Sequence, residues 1–540
     1  MTQNKVYDYI VIGSGFGGSV SALRLAEKGY SVLVLEKGKW FKSTDFPKNN
    51  YQLKKWLWEP RLGLKGFFKM TFLRHVTVLS GVGVGGGSLT YANTLPVPKT
   101  EFFNSGNWKD LADWEKELKP FYNIANRMLG ASVNPKIFDA DLALKAVAGK
   151  IGKSDAFDTT NVAVFFGEPG KTVDDPYFDG QGPTRTGCIH CGQCMTGCRH
   201  NAKNTLDKNY LFLAQQIGVE IQAEKEVFDV VPIGSQEGRE GYTVHVKNSF
   251  GRGKSQFQCK GIVFAGGVMG TVPLLLKLKD GSLPNLSGQV GRSIRTNNEA
   301  LISVTSLDKN KDFTKGIAIG SILNTDKDSH LEPCRYGKGS GFFQWLGLPM
   351  SHGKNGMIRI LKTIPLIIKN FGYYIRVPFL KDYSTKTTVL LFMQHLDSTI
   401  SFTKSRFGGL KSKLETGERP TSQMPRAKEL SELFEKEVNG KSYTLALETI
   451  LGSPTTAHIL GGAVMGKNDT EGVINSENKV FNYENMFICD GSVISANPGV
   501  NPSLSITAIS ERAMNLIKPK SEAEQHKKAE GNRIFSDSAR

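Results

Sequence analysis

The sequence predicts a large α/β protein built around a parallel β-sheet, and three observations support that prediction. The chain has 540 residues, several times the usual length of a domain, which excludes a single small binding module. Its composition, with 39% hydrophobic and 22% charged residues, is that of ordinary folded proteins. A strand, a glycine turn, a helix and a second strand follow one another at the start of the chain. These features favour a Rossmann-like domain accompanied by at least one further domain.

The N-terminal unit has the order of elements that a dinucleotide site needs. Residues 7–12 form an apolar strand pattern, and the glycine-rich segment 13–18 follows at once. A helical pattern then ends at Gly29, and a second buried strand covers residues 31–35 with Glu36 at its carboxyl end. The motif G-x-G-x-x-G is a weak signal when alone, but this context makes it specific.

Each glycine of this motif meets a separate physical requirement. Gly13 permits the tight turn, Gly15 removes a side chain that would block a pyrophosphate, and Gly18 lets the helix pack closely on the strand. The phosphates then lie at the positive amino end of the helix. Glu36 can accept a hydrogen bond from a ribose hydroxyl. The unit therefore predicts a bound dinucleotide.

Three more glycine-bearing segments indicate which dinucleotide it is. They cover residues 81–88, 261–267 and 486–492. The last two each begin with a strand pattern that runs into the glycines. One such segment alone would be an ordinary turn. A nicotinamide cofactor needs only the N-terminal unit, whereas glycine contacts spread over the whole chain suit the longer FAD molecule. We therefore expect FAD.

These segments resemble a known family, the glucose–methanol–choline flavoprotein oxidoreductases, and within it the bacterial cholesterol-oxidase-like branch. Four blocks carry the resemblance: residues 7–36, residues 81–93 (GVGVGGGSLTYAN), residues 262–271 (IVFAGGVMGT) and residues 458–504. The resemblance implies an FAD domain assembled from distant parts of the chain, beside a substrate domain with an antiparallel sheet.

The resemblance also implies domain boundaries and cofactor-binding residues. We expect residues 1–100, 186–300 and 455–518 to form the FAD-binding domain, 101–185 and 301–454 the substrate domain, and 519–540 a mobile tail. The residues expected to contact FAD are Gly13, Gly15, Phe16, Gly18, Glu36, Gly81, Gly86, Ser88, Asn93, Val227, Gly266, Asp490, Gly491, Asn501 and Pro502.

His458 and Asn501 are the candidate catalytic pair. Oxidation of an alcohol carbon needs a base for the hydroxyl proton, and a neutral imidazole suits that role near neutral pH. His458 lies in a glycine-rich turn, where a histidine is by itself more often structural. The resemblance implies that His458 is the base, that Asn501 orients the alcohol oxygen, and that flavin N5 accepts the hydride.

Three departures from the family pattern stand out. Ile459 replaces the commoner proline after the histidine, and Ala463 stands where cysteine is frequent. Cholesterol oxidases that also isomerise the steroid use a carboxylate in the substrate domain, and the similar stretch here, residues 386–394, contains none. We therefore expect neither the isomerase activity nor the identity of a cholesterol oxidase to follow from the resemblance.

Four cysteines have the spacing of a bacterial ferredoxin motif. Cys188, Cys191, Cys194 and Cys198 read C-x2-C-x2-C-x3-C. Three alternatives remain open: a [4Fe–4S] or other iron–sulfur cluster, a zinc site, or structural cysteines without metal. A cluster near the flavin would carry electrons to a separate acceptor, whereas its absence favours direct reoxidation by oxygen.

The net charge of +17 favours anionic surfaces, but no nucleic-acid motif accompanies it. The apolar segment 341–393 carries Lys362, Lys369 and Arg376, which would share one face of a helix. Such a segment either lies at a membrane surface or is a buried part of the substrate domain. No uncharged run is long enough to span a membrane, and the N-terminus leaves no room for a signal peptide, so we expect a cytoplasmic protein, with peripheral membrane association left open.

The sequence thus predicts an FAD-dependent oxidoreductase that acts on the CH–OH group of an apolar, sterol-like or long-chain alcohol. Its electron acceptor is either oxygen or another molecule. Two rival interpretations remain. In the first, the flavin has a non-redox or photochemical role on a lipid, as in a lyase or decarboxylase. In the second, the chain is an electron-transfer component that works with a partner subunit.

Overall fold

Two seven-stranded sheets form the framework of the protein in the computed structural model, which describes residues 5–351, 353, 356–405 and 408–520. One sheet is mainly parallel and the other is antiparallel, so the predicted α/β fold with a second, antiparallel-sheet domain is confirmed. The predicted tail lies outside the described residues from position 521 onward.

The parallel sheet is centred on the strand Val6–Ile12, whose residues are buried except the first. Burial on both faces explains its nearly continuous apolar sequence. It pairs in parallel with Val32–Leu35 on one side and Lys254–Phe264 on the other. Across the sheet the strands are Glu220–Gln222, Val32–Leu35, Val6–Ile12, Lys254–Phe264, Tyr242–Asn248 and Lys225–Pro232, with Met486–Ile488 beside the end of Lys254–Phe264.

The helices that follow two of these strands begin at the predicted glycines. Phe16–Glu27 starts directly after Gly15, and Val268–Lys279 starts directly after Gly267. Phe16–Glu27 packs against the C-terminal helix Ser503–Asn515, which also contacts Trp114–Met128. The beginning, middle and end of the chain therefore meet around one core. The domain boundaries themselves stay a prediction.

The antiparallel sheet separates a packed core from a cavity. Its central strand, Glu299–Ser306, pairs with Thr387–Gln394 and Gly440–Leu445. Helices Asp139–Lys150 and Pro425–Val438 cover one face with an apolar core. Across the sheet the strands are Gly347–Pro349, Gly440–Leu445, Glu299–Ser306, Thr387–Gln394, Ser329–Cys334, Ser321–Asn324 and Phe157–Thr159.

Shorter elements complete the two layers. A three-stranded sheet of Phe68–Phe72, Thr77–Gly81 and Thr455–Thr456 connects them. Four two-stranded pairs are Thr399–Lys404 with Leu410–Thr416, Trp58–Glu59 with Leu64–Lys65, Ser132–Val133 with Asn161–Val162, and Thr172–Val173 with Arg185–Thr186. The remaining α-helices are Leu53–Trp56, Thr100–Phe103, Tyr210–Gln216, Gly356–Lys369, Phe371–Tyr374, Tyr383–Lys386 and Ala446–Leu451.

The apolar segment forms a helix, Gly356–Lys369, followed by the short helix Phe371–Tyr374. The chain leaves helical geometry at Asn370. Arg376 lies beyond this break, so it does not share a helical face with Lys362 and Lys369. In the part of the chain that the structure describes, no helix is long and apolar enough to cross a membrane.

Candidate active site

A cavity of about 710 Å³ runs between the two sheets. Its walls come from all four glycine-bearing segments and from the open face of the antiparallel sheet. The carboxyl ends of the parallel strands meet at this cavity, which is where α/β sheets bind their ligands. The predicted convergence of distant glycine segments on one elongated site is thus seen in the structure.

The N-terminal glycines create both tight packing and open space. Gly13 has φ +105°, and a Cβ there would lie 2.4 Å from the Ala265 carbonyl oxygen. A Cβ on Gly18 would lie 2.1 Å from the Gly13 carbonyl oxygen, so helix and strand are in contact. At Gly15 a Cβ would meet no atom within 4 Å. This free space at the amino end of a twelve-residue helix fits a pyrophosphate.

Glu36 lines the cavity at the end of its strand. One carboxylate oxygen accepts hydrogen bonds from the backbone NH of Ser14 at 3.1 Å and from its hydroxyl at 2.8 Å. The other accepts from the Gly38 NH at 2.8 Å. These bonds hold the glycine turn against the second strand and orient the carboxylate, which suits a ribose hydroxyl.

Asp490 joins the third and fourth glycine-bearing segments. Its Oδ2 accepts from the Gly267 NH at 2.9 Å and from the Thr271 hydroxyl at 2.5 Å. Its Oδ1 accepts from the backbone NH of Ser492 at 2.8 Å. Burial raises the pKa of this carboxyl, and the four hydrogen bonds from Ser492, Thr271 and Gly267 offset part of that effect. Asp490 therefore shapes the cradle from inside the protein.

Most residues expected to contact FAD line the cavity. Gly18, Ser88 and Asn93 do not. Ser88 accepts from the Leu206 NH at 3.0 Å and donates to the Gly85 carbonyl at 2.7 Å, so it shapes the second glycine segment. The residues that line the cavity are Gly13, Gly15, Phe16, Glu36, Gly81, Gly86, Val227, Gly266, Asp490, Gly491, Asn501 and Pro502.

His458 and Asn501 stand together at the cavity wall. Asn501 Nδ2 lies 3.5 Å from His458 Nε2. His458 Nδ1 lies 2.7 Å from a carboxylate oxygen of Glu299, which sequence analysis did not identify. An ionised carboxylate only accepts hydrogen bonds, so Nδ1 carries the proton and Nε2 keeps its lone pair for the cavity. This arrangement can remove a proton from a bound hydroxyl group.

Glu299 also supports the turn that carries the histidine. Its second oxygen accepts from the Ala457 NH at 2.5 Å. The Thr456 hydroxyl accepts from the His458 NH at 2.9 Å and donates to the Thr296 carbonyl at 3.0 Å. The backbone and the ring of the histidine are therefore both held by the start of the antiparallel sheet.

A second buried carboxyl, Glu332, lies on the same face of that sheet. Glu332 pairs with Leu391 of the strand Thr387–Gln394, and Glu299 pairs with Met393 of the same strand from its other side. Within the described residues, neither Glu332 oxygen has a hydrogen-bond partner. Burial raises its pKa to about 8, the neighbouring Asn501 amide offsets part of this, and Glu299 adds to it. His330 Nε2 lies 3.7 Å from Glu332, and burial lowers the pKa of that imidazole to about 3.

Residues 386–394 contain no carboxylate, but the adjacent strand Ser329–Cys334 places Glu332 on the same sheet face as Glu299. Neither acid was identified from the sequence. The available signal was a single acid in each buried strand, SHLEPC for Glu332 and EALISVTS for Glu299. Side chains two residues apart share a strand face, so each acid lies on the cavity side with its alternate neighbours.

The rest of this wall is apolar. Leu301, Val389 and Leu391 line the cavity from the two central antiparallel strands. Ile319 and Tyr336 extend the wall. The wall beside His458 is therefore largely hydrocarbon.

The four cysteines show no arrangement for metal binding in the described structure. Within residues 5–351, 353, 356–405 and 408–520, no group of three or more His, Cys, Asp or Glu side chains is arranged to hold a metal ion. All four are free thiols, and Cys188 and Cys194 pack among apolar side chains. The predicted iron–sulfur or zinc site gains no support, and the structural alternative agrees with this packing.

Lys203 links the cysteine segment to the cofactor cradle. Its buried ammonium donates to three carbonyl oxygens, those of Leu89, Tyr91 and Cys194, at 2.9 to 3.1 Å. Burial lowers its pKa to about 7. Lys203 thus holds the second glycine segment against the cysteine loop, which gives this loop a structural role at the cavity edge.

Comparisons with known proteins identify related sequences and a related fold. A GMC oxidoreductase family model matches residues 410–510, and a model of the NAD(P)-binding Rossmann-like domain matches residues 11–47. A cholesterol oxidase of Acinetobacter baumannii is 42% identical over 537 residues, 97% of this chain and 96% of the relative. One of Mycobacterium tuberculosis is 43% identical, covering 96% and 92%. The crystal structure of pyridoxine 4-oxidase from Mesorbium loti is similar with a TM-score of 0.59 and 14% identity, covering 94% of this chain and 98% of that one.

The structural similarity supports the fold, and the two sequence similarities extend over nearly the whole chain. The GMC oxidoreductase match includes His458 and Asn501, and the Rossmann-like match includes the N-terminal glycine motif. The cavity between the sheets fits FAD at its glycine-lined end. The chain therefore belongs to the glucose–methanol–choline oxidoreductase family and is an FAD-dependent oxidoreductase that acts on CH–OH donors.

Proposed function

We propose that this chain oxidises the hydroxyl group of a sterol-like alcohol to a carbonyl, with oxygen as the final electron acceptor. One alcohol and one O2 give one carbonyl compound and one H2O2. The observation that carries the proposal is the position of His458 and Asn501, between the glycine-lined cradle and an apolar wall. FAD, when bound, accepts the hydride from the carbinol carbon.

His458 is the proposed base. Its Nε2 takes the hydroxyl proton while Nδ1 stays bonded to Glu299, which stabilises the positive charge that the ring gains. The 3.5 Å between Nε2 and the Asn501 amide leaves both groups available to one alcohol oxygen. Asn501 then orients that oxygen, while Glu299 acts as a positioning residue.

The apolar wall supports a sterol-like substrate over a sugar. Leu301, Val389 and Leu391 offer no hydrogen-bonding side chain, so a polyol would lose water contacts without replacement. The names of the two cholesterol oxidase relatives support the same class. Oxygen is favoured as acceptor because these two relatives are named oxidases.

A substrate comparison tests this proposal. Purified holoenzyme is given detergent-dispersed sterol, a long-chain primary alcohol or glucose, and H2O2 release is followed. We expect the highest kcat/KM for the sterol and a loss of about 100-fold in Asn501→Leu. A preference for the long-chain alcohol would overturn the sterol assignment. Retained FAD without reduction by any alcohol would favour the rival non-redox role.

Glu332 favours a second candidate activity, proton transfer on the ketone product. Its buried carboxyl, with a pKa of about 8, lies beside Asn501 and so beside the carbonyl that oxidation creates. In its ionised form, this carboxyl can remove a proton from the carbon next to the carbonyl and return it to another carbon of the substrate. The transfer moves a double bond into conjugation with the carbonyl. We expect Glu332→Gln to release the unconjugated ketone while alcohol oxidation continues. Unchanged formation of the conjugated ketone would contradict this role.

A further inference from the structure

The helix Gly356–Lys369 exposes its apolar side. Of its fourteen residues, the two that are buried in the structure are polar, Arg359 and Thr363. Met357, Leu361, Ile364 and Ile368 form a row with helical spacing, and each is 48% to 73% exposed. This is the reverse of a helix that packs its apolar stripe on a core.

Neighbouring side chains extend this row into a broad apolar surface. Phe371, Ile375 and Phe379 follow in the chain and are exposed. Trp345, also exposed, packs edge to face on Phe379 with ring centres 6.3 Å apart. We name the exposed side chains from Trp345 and from 357 to 381 the docking face. Contiguous exposed apolar surface of this kind marks an interaction site.

The charge of this region indicates the partner. Residues 341–381 contain six Lys and Arg residues and no Asp or Glu. Lys362, Lys369, Arg376 and Lys381 are exposed around the apolar row. Apolar and aromatic side chains bordered by basic ones match a bilayer with anionic headgroups, where lysine stems reach from the acyl boundary to phosphate. The net charge of +17 adds attraction over a longer range.

The docking face is connected to the cavity in two ways. Trp345 belongs to the same 3₁₀ turn as Phe343, whose ring lies 6.1 Å from that of the cavity-lining Tyr336. Beneath the helix, the Arg359 guanidinium donates to the carbonyls of Thr449 and Ile450, at 2.6 and 3.0 Å.

The short helix that contains Thr449 and Ile450 leads directly to the catalytic turn. In that helix, the Glu448 carboxylate accepts a hydrogen bond from the Thr455 NH at 3.0 Å. Thr455 lies three residues before His458. The surface is therefore linked through packed and hydrogen-bonded residues to the residues that line the cavity.

We propose that the docking face binds anionic phospholipid membranes. The helix Gly356–Lys369 lies in the plane of the membrane, with Met357, Leu361, Ile364 and Ile368 at the acyl boundary. An apolar alcohol then passes from the bilayer into the cavity without crossing water. Only this delivery step rests on the proposed sterol oxidation, because membrane binding itself requires no turnover.

Vesicle cosedimentation tests the proposal with the holoenzyme. The vesicles are phosphatidylcholine alone or phosphatidylcholine mixed with phosphatidylglycerol. The test variant is Leu361→Asp with Ile368→Asp. The control is Leu142→Asp with Val133→Asp, two exposed sites (51% and 64%) outside the docking face. We expect wild type and control to bind the anionic vesicles at least about tenfold more than neutral ones, and the test variant to lose at least about tenfold in binding.

Three results would overturn the proposal. In the first, wild-type protein remains in the supernatant. In the second, the control loses as much binding as the test variant. In the third, sedimentation velocity shows a wild-type dimer that the test variant breaks and the control does not. A second measurement separates delivery from chemistry. We expect the test variant to oxidise detergent-dispersed sterol at the wild-type rate and vesicle-embedded sterol more slowly. If no protein oxidises sterol, the proposed function fails, while the cosedimentation result still decides membrane binding.

Discussion

The cofactor cradle and the catalytic cluster are built in opposite ways. The N-terminal part of the cofactor cradle comes from one continuous stretch, residues 13–36. It depends on the absence of side chains at its glycines. The catalytic cluster joins Glu299, Glu332, His458 and Asn501 from distant positions, and depends on charge and hydrogen bonding. The cradle should therefore be sensitive to added atoms, and the cluster to the loss of a single charge.

The cluster should respond most strongly at Glu299. Replacing it by glutamine removes the charge that stabilises the protonated His458 ring, so we expect kcat to fall about 100-fold with KM within about twofold. Glu448→Gln is the matched control, because Glu448 is buried nearby but bonds only to Thr455 within the described structure. Steady-state kinetics measure both. An equal loss in the control, or a loss confined to KM, would contradict a positioning role on His458.

The cradle should distinguish two glycines. Gly15→Ala finds free space and an ordinary φ of −73°, so we expect protein stability to change by less than about 0.5 kcal/mol while FAD dissociates about tenfold more readily. Gly13→Ala meets a positive φ and the Ala265 carbonyl, so we expect it to lose stability as well. Thermal unfolding and the fluorescence of released FAD check this. Equal behaviour of the two variants would mean that the space at Gly15 is not the cofactor site.

The pH dependence of stability tests the buried carboxyl of the cluster. Glu332 has a folded pKa of about 8 against an ordinary 4.5, so the folded protein keeps a proton that the unfolded chain releases. The stability from this proton is complete below pH 4.5 and is lost as the pH rises to about 8. We expect the unfolding temperature of wild type to fall by about 1–3 °C more than that of Glu332→Gln between pH 5.5 and 8.5. Parallel curves would show that Glu332 is already ionised in the folded state.

The cysteine loop should give the smallest effect. Cys191→Ser changes a free thiol that belongs to no group of three or more potential metal ligands within the described residues, so we expect activity and the flavin spectrum to stay within about twofold of wild type. Iron analysis of anaerobically purified protein accompanies the assay. Stoichiometric iron that the substitution removes would restore the iron–sulfur interpretation.

The sequence predicted the cradle well because its requirements are local. The strand at 7–12, the helix after Gly15 and the strand before Glu36 all follow from glycine spacing and apolar pattern, and the structure confirms them. The antiparallel sheet was expected from the family resemblance alone, because its strands pair across long and variable connections.

The cluster was predicted only in part because strand pairing over long connections brings some of its members to the site. His458 and Asn501 lie in glycine-rich and proline-rich turns that mark them. Glu299 and Glu332 are single acids in apolar strands, and only the register of the sheet brings them to the histidine. The cysteine spacing left three alternatives open because spacing along a chain does not fix whether thiols converge. The role of Lys203, which holds three backbone carbonyls, also depends on contacts between distant segments.

The most direct test of the account is flavin reduction in the absence of oxygen. Holoenzyme is mixed with a sterol in a stopped-flow instrument, and the loss of yellow colour is followed for wild type, His458→Ala and His200→Ala, a change of a partly exposed histidine in the cysteine-rich segment. We expect rapid bleaching in wild type and His200→Ala, and bleaching slowed at least about 100-fold in His458→Ala at equal FAD content. Bleaching of His458→Ala at the wild-type rate would contradict the assignment of this imidazole as the base.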